Sequence, residues 1–224
     1  MTTFDGFPSP SYGGAYTTIG NIKSLMPDTT WSTSYDRLFS VLSVRASRLI
    51  DGVLHREPGA LGVSVETTRY FDGNNDDELY IGELASVPSI VSIATGGIVD
   101  NANDTGGTYT VLSASDYRVW PSNWSKERRP ILRLDLDCLN GSYSSFYGYP
   151  KCVKVIGYFG FATILNIPDE IVQAVDIQTI RWFKRGQQAF QDVGAITDLS
   201  QLKYVNKLDP DVENIINLPR FTCL

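Results

Sequence analysis

Two stretches of the chain place apolar residues three and four positions apart, the repeat that lines one face of an α-helix. In the first, Tyr35, Leu38, Phe39, Leu42, Ala46, Leu49, Ile50 and Val53 keep this spacing, while Arg37, Arg45, Arg48 and Asp51 fall largely on the other face. Thr33 is placed to cap it, with Asp36 three residues on as the capping-box acid. The pattern fades at His55–Arg56, just before Pro58-Gly59. In the second, Ile171, Val175, Gln178 and Trp182 keep the spacing, with Ala174, Ile177 and Phe183 beside them. Pro168 suits the first turn, where its missing N–H has no helical partner. Asp169 and Glu170 at one end, and Lys184 and Arg185 near the other, have the signs the helix dipole favours. These patterns predict helices over 33–56 and 168–190, and a shorter one over 18–26 ended by Pro27.

Between the two long helices the pattern changes to strands. Val63–Phe71, Leu79–Leu84, Ser89–Ala94, Thr108–Leu112, Asp116–Trp120, Ile131–Asp137 and Lys151–Phe161 are short runs rich in β-branched and aromatic residues. Turn residues separate them, notably Asp72-Gly73-Asn74-Asn75, a loop bracketed by Gly96-Gly97 and Gly106-Gly107, and a polar loop from 121 to 130. Runs of this kind imply a small antiparallel sandwich or barrel-like sheet. The predicted fold class is α+β: an antiparallel helical scaffold with an inserted antiparallel β-module at 62–165 and an extended C-terminal tail. Residues 1–17, rich in Gly, Pro, Ser and Tyr, read as a flexible arm, 18–200 as the main domain, and 201–224 as the tail. Within the tail, Asp209-Pro210 is a helix start, Val212, Ile215, Ile216 and Leu218 follow, and Pro219 is a stop.

Charge narrows the range of functions. The net charge is −6 over 224 residues. It divides into 0 for residues 1–60, −4 for 61–165 and −2 for 166–224. No segment is strongly basic, which lowers the case for a protein that grips nucleic acid through its phosphates. The first residues have neither the basic nor the apolar region of a signal peptide. The longest mostly apolar run, Val155–Leu165, is too short to span a bilayer. The expectation is a soluble protein retained in the cytoplasm. The three cysteines, Cys138, Cys152 and Cys223, have no metal-ligand spacing, and Cys138 and Cys152 read as small apolar residues of strands.

Several chemistries are approached without being completed. His55 is the only histidine, falls at a helix C-terminus, and has no Gly-x-Ser-x-Gly motif to work with. Asp72, Asn74, Asp76 and Glu83 occupy positions 1, 3, 5 and 12 of a calcium-loop pattern, but Asp77 stands where that loop needs glycine. Asp135 and Asp137 share one face of a strand and could divide acid and base roles, though they also mark the solvent side opposite Leu134 and Leu136. The glycine pairs at 96–97 and 106–107 lack the Gly-Lys-Ser/Thr ending of a phosphate cradle. Trp120, Trp124, Tyr143, Phe146, Tyr147 and Tyr149 are either core residues or a stacking platform. No constellation specifies an enzyme, a cofactor or a metal.

The order of the segments does resemble a known plan. After a short and a long helix come Thr68-Arg69-Tyr70-Phe71-Asp72-Gly73, Leu84-Ala85-Ser86-Val87-Pro88-Ser89-Ile90 and Asp116-Tyr117-Arg118-Val119-Trp120-Pro121. These are followed by Val155-Ile156-Gly157-Tyr158-Phe159-Gly160, Ile167-Pro168-Asp169-Glu170-Ile171-Val172-Gln173-Ala174 and Trp182-Phe183-Lys184-Arg185. The run ends at Leu208-Asp209-Pro210-Asp211-Val212-Glu213-Asn214-Ile215-Ile216. Over about residues 18–218 this set resembles the head–tail connector (adaptor) proteins of tailed bacteriophages; the Gly/Pro/Tyr-rich N-terminal arm departs from it. The resemblance implies a structural virion protein of the phage neck, assembled in the host cytoplasm, without catalysis or cofactor. It implies a homo-oligomeric ring, a dodecamer, between the portal protein and a stopper or tail-completion protein, with dsDNA passing through the channel without specific binding and no membrane partner. It also implies a portal-docking tail, whose anchors would be Tyr204, Leu208, Val212, Ile215, Ile216 and Leu218. Other readings stay open: a tail-completion or neck protein that meets the tail, a carbohydrate-binding β-module using the aromatics at 143–149, or an enzyme using His55 or Asp135 and Asp137.

Overall fold

The computed structural model describes residues 14–26, 33–94, 108–191 and 208–222. In chain order the elements are α1 (Ile19–Ser24), a 3-10 turn (Thr33–Tyr35), α2 (Asp36–Val53), β1 (Thr67–Phe71), β2 (Glu78–Leu84), β3 (Ile90–Ala94), β4 (Tyr109–Val111), β5 (Tyr117–Trp120), α3 (Trp124–Glu127), β6 (Ile131–Leu136), β7 (Val153–Gly157), a 3-10 turn (Ile164–Asn166), α4 (Asp169–Gln191), α5 (Pro210–Ile216) and α6 (Pro219–Thr222). The predicted α+β class holds. The chain forms two compact units, one from residues 1–59 and 167–224, the other from 60–166.

In the helical unit α2 packs on α4, as two amphipathic helices with one apolar face each require. Phe39 of α2 and Phe183 of α4 have ring centroids 4.6 Å apart, and Tyr35 meets Phe183 edge-on at 5.6 Å. Ile22 and Met26 from the α1 segment complete this cluster. Thr18 caps α1, its hydroxyl oxygen accepting from the Asn21 N–H at 3.2 Å, and Lys23 pairs with Asp36 of α2. The start of α2 differs from the capping-box expectation. Thr33–Tyr35 form a 3-10 turn, and the cap residue is Tyr35, without a side-chain hydrogen bond to the helix. The end follows a stop signal built on His55, whose φ is 54°. The Arg56 N–H donates to the Asp51 carbonyl at 2.9 Å and the His55 N–H to the Gly52 carbonyl at 3.2 Å, the paired bonds of a Schellman motif. At the start of α4 the Pro168 carbonyl accepts from the Ile171 and Val172 N–H groups.

Residues 14–17, which the sequence pattern assigns to the arm, are fastened to α2. The Tyr16 N–H donates to the Ser47 hydroxyl at 3.0 Å and the Tyr16 hydroxyl to Asp51 Oδ1 at 2.5 Å. Arg48 bridges Asp51 Oδ2 (2.5 Å) and the Gly14 carbonyl (2.8 Å), and the Gly59 N–H donates to Asp51 Oδ2 at 2.9 Å. Burial nevertheless outweighs these bonds and raises the Asp51 carboxyl above its ordinary value. Burial does the same to Asp176 on α4.

The β unit holds two antiparallel sheets, β1-β7-β3-β4 and β2-β6-β5. Apolar residues of both sheets share one core: Leu79, Ile81 and Leu84 of β2, Val91 and Ile93 of β3, Ile131, Leu134 and Leu136 of β6, and Val153 and Val155 of β7. This is the packing of a sandwich, with alternate strand residues turned inward. The first strand begins later than its sequence suggests. Val63 makes only an isolated bridge with Thr163, because its N–H goes to Ala162 and its carbonyl takes the Ile164 N–H. The polar loop at 121–130 contains the short helix α3. The loop at 96–107 lies largely outside the described residues, as does the linker from 192 to 200.

Candidate interaction surface

The C-terminal segment becomes a defined element through its first two residues. Asp209 is the cap of α5, its carboxylate accepting from the Asp211 N–H at 3.1 Å, and Pro210 takes the first helical position. The other Asp209 oxygen accepts from Arg181 Nη1 of α4 at 2.5 Å. The Asp209 N–H donates to Gln178 Oε1 at 3.4 Å. One aspartate therefore starts α5 and fixes it on α4. Four residues apart, Val212 (0% exposed) and Ile216 (2%) turn the same helix face inward, and Phe221 of α6 is buried beside them in sequence. Arg56 Nη2 donates to the Phe221 carbonyl at 3.4 Å. Asp211, Glu213 and Asn214 occupy the outer side.

The six residues named as tail anchors thus fall into different settings. Val212 and Ile216 are buried within their own unit, Leu208 and Ile215 are half-buried, and Leu218 is exposed. Tyr204 lies outside the described residues. Pro219, expected to end the helix, instead opens α6; α5 already stops at Ile216, capped by Asn217. The residues that the sequence did not single out are Arg181, Gln178, Arg56 and Phe221. A basic residue on α4 and an acid opening the tail were visible, but nothing in the spacing paired them across 28 positions.

The other candidate chemistries are consumed by structural bonds. In the β1–β2 turn, Asp72 Oδ1 accepts the Lys151 N–H at 2.8 Å, Asn74 Oδ1 the Asp76 N–H at 3.1 Å, and Asp76 Oδ1 the Asp77 N–H at 2.9 Å. Among the described residues no group of three or more His, Cys, Asp or Glu is arranged to hold a metal ion. Asp135 pairs with Arg133 at 2.7 Å, and Arg133 also reaches Glu78 at 2.5 Å. Asp137 staples the following turn; the side-chain bond from Asn140, with Arg118 and the backbone of 139–140, holds its carboxyl below the usual range. Ser113 does the same for Asp116, with help from the Ser142 N–H. Of the aromatics, Phe146 is fully buried and Trp124, Tyr143 and Tyr149 pack against the core. Trp120 and Tyr147 are exposed, and Arg133 stacks over the Trp120 ring at 5.1 Å from its centroid. No helix among the described residues is long and apolar enough to cross a membrane.

No family model matches the chain, and no curated protein sequence matches it. Among solved structures it is similar to a chain of the neck of an empty gene transfer agent particle, computed with C6 symmetry: TM-score 0.45, 15% identity, 82% of this chain and 82% of that chain covered. It is also similar to a chain of the neck of the native particle computed with C12 symmetry (TM-score 0.38, 17% identity, 77% and 82% covered). A third is a chain of the native gene transfer agent virion (TM-score 0.37, 14% identity, 78% and 84% covered). Likeness at these identities and TM-scores establishes neither a shared fold nor a shared role.

Proposed function

We propose that this chain is a head–tail connector (adaptor) subunit of a tailed bacteriophage. It forms a homo-oligomeric ring, a dodecamer, between the portal protein and a stopper or tail-completion protein, and lines the channel through which dsDNA passes. The observation that carries this reading is the ordered set of segments, each of which falls on a definite element. Thr68–Phe71 lie in β1, Tyr117–Trp120 form β5, Val155–Gly157 end β7, Asp169–Ala174 open α4, and Pro210–Ile216 form α5. A closed ring of identical chains needs two different faces that fit each other. An acidic chain also suits a channel that DNA must traverse without sticking, since like charges repel.

The tail is the portal-docking element in this proposal, with its two sides divided. Val212 and Ile216 hold α5 on a helical scaffold, leaving Ile215, Leu218, Leu208 and Tyr204 to meet the portal. Replacing exposed Leu218 and half-buried Ile215 by aspartate tests it. Binding to the purified portal ring should weaken at least tenfold while α5 keeps its protection from hydrogen exchange. Unchanged affinity would refute portal docking through this tail.

A further inference from the structure

The way α5 is tethered to α4 carries a consequence for how copies of this chain would join. The α5 cap sits beside Arg181, and α4 runs on from there to Gln191. Those ten residues of helix amount to about 15 Å along the axis. The chain from 192 to 208, which connects the two helices, reaches roughly 60 Å when extended. The tether is several times longer than its task within one chain requires. Adjacent copies of a unit of about 100 residues, with a radius of gyration near 13 Å, lie roughly 35 Å apart. The tether therefore spans to a neighbour's α4 as readily as to its own.

We infer that, in the assembled ring, α5 and α6 of one copy seat on α4 of the next copy, exchanging the docking seen within the single chain. This rests on the ring reading above and names the surface that joins neighbouring chains. The seat is the one on the page: Arg181 and Gln178 receive the cap residue Asp209, and Val212, Ile216 and Phe221 fill the apolar side. An exchanged segment makes the same contacts in its new place, so exchange sacrifices none of them. Once copies are held in a ring, the neighbour's seat is present at the millimolar effective concentration typical of tethered partners. Each copy gives one tail and receives one, which is a head-to-tail contact that closes around a ring. It leaves Ile215 and Leu218 facing outward for the portal.

The experiment uses two populations of the full chain, with Cys138 and Cys223 replaced by serine. One carries Arg181→Cys and the other Asp209→Cys. They are mixed, assembled on portal rings, and treated with a short bismaleimide; ring formation is scored by electron microscopy of the same sample. Rings together with covalent dimers linking the two populations are expected. Rings without such dimers overturn the exchange and leave the connector reading standing. Absence of rings with wild-type chain overturns both. A second variant avoids the seat residues: deletion of 194–203 leaves a tether of roughly 27 Å, enough for its own α4 but short of a neighbour's. Loss of ring assembly is expected, with α5 still protected in the free chain. Rings that form as well as wild type overturn the exchange.

Discussion

Replacing Ile216 with alanine removes three methyl or methylene carbons from a fully packed site. Ile216 is 2% exposed, on the same helix face as Val212. Substitutions of this kind cost about 2–5 kcal/mol, the higher figures where the site cannot collapse. Here the loss is local. Seven residues make a helix too short to persist alone in water, so α5 is folded only while docked. A cost of about 3 kcal/mol multiplies the fraction of chains with α5 undocked by about 150. Hydrogen exchange read by mass spectrometry reports this directly. Amides of 210–216 should lose about two orders of magnitude of protection, while those of α4 between Ile171 and Phe183 change little. Two results would refute the reasoning. Unchanged protection across 210–216 would mean that Ile216 does not hold α5, and equal loss in α4 would mean that the segment opens only with the whole unit.

His55 sits at φ 54° in the Schellman motif that ends α2, where a Cβ is strained. His55→Gly should stabilise the helical unit by about 1 kcal/mol in urea unfolding, and a destabilised variant would contradict the role assigned to this backbone position. A Cβ on Gly73 would lie 1.7 Å from the Tyr147 carbonyl oxygen, so the β1–β2 turn has no room for one. Gly73→Ala should lower stability of the β unit by about 2–4 kcal/mol, measured as the urea midpoint. The raised carboxyls of Asp51 and Asp176 bind protons more tightly folded than unfolded, so stability of the helical unit falls as pH rises from near 3.8 through their folded values. Asp51→Asn should flatten that slope between pH 4 and 7, followed by urea midpoints; a slope as steep as wild type would show that the carboxyl does not titrate there. Asp116 and Asp137 are shifted the other way, so the β unit should lose protection only as pH falls below about 3.8.

The helices were legible because their burial follows local periodicity. Phe39, Ala46 and Ile50 on α2, and Ile171, Ala174 and Val175 on α4, sit where the three-four spacing put them. The α5 start was legible because Asp-Pro fixes both a cap and a first helical φ. Strand edges were less so. Val63 has the composition of a strand residue, yet its hydrogen bonds go to 162 and 164, about a hundred positions away. Long-range pairing of that kind leaves no local trace, and the same is true of Arg181 with Asp209. The cap of α2 failed for a different reason: Thr33 has the right chemistry, but a 3-10 turn displaced the helix start to Asp36. The tail's apolar residues were read as one set, although a helix divides them. Val212 and Ile216 turn inward, while Ile215 and Leu218 do not.

The central claim is that the chain builds a ring layer under a portal. Electron microscopy of the purified protein mixed with the portal rings of its own phage tests it most directly. The account predicts an added annular layer at the tail-facing end of the portal, with one copy of the chain per repeat around the axis. Portal rings that remain bare, with the chain monomeric at concentrations well above those of assembly, would contradict it.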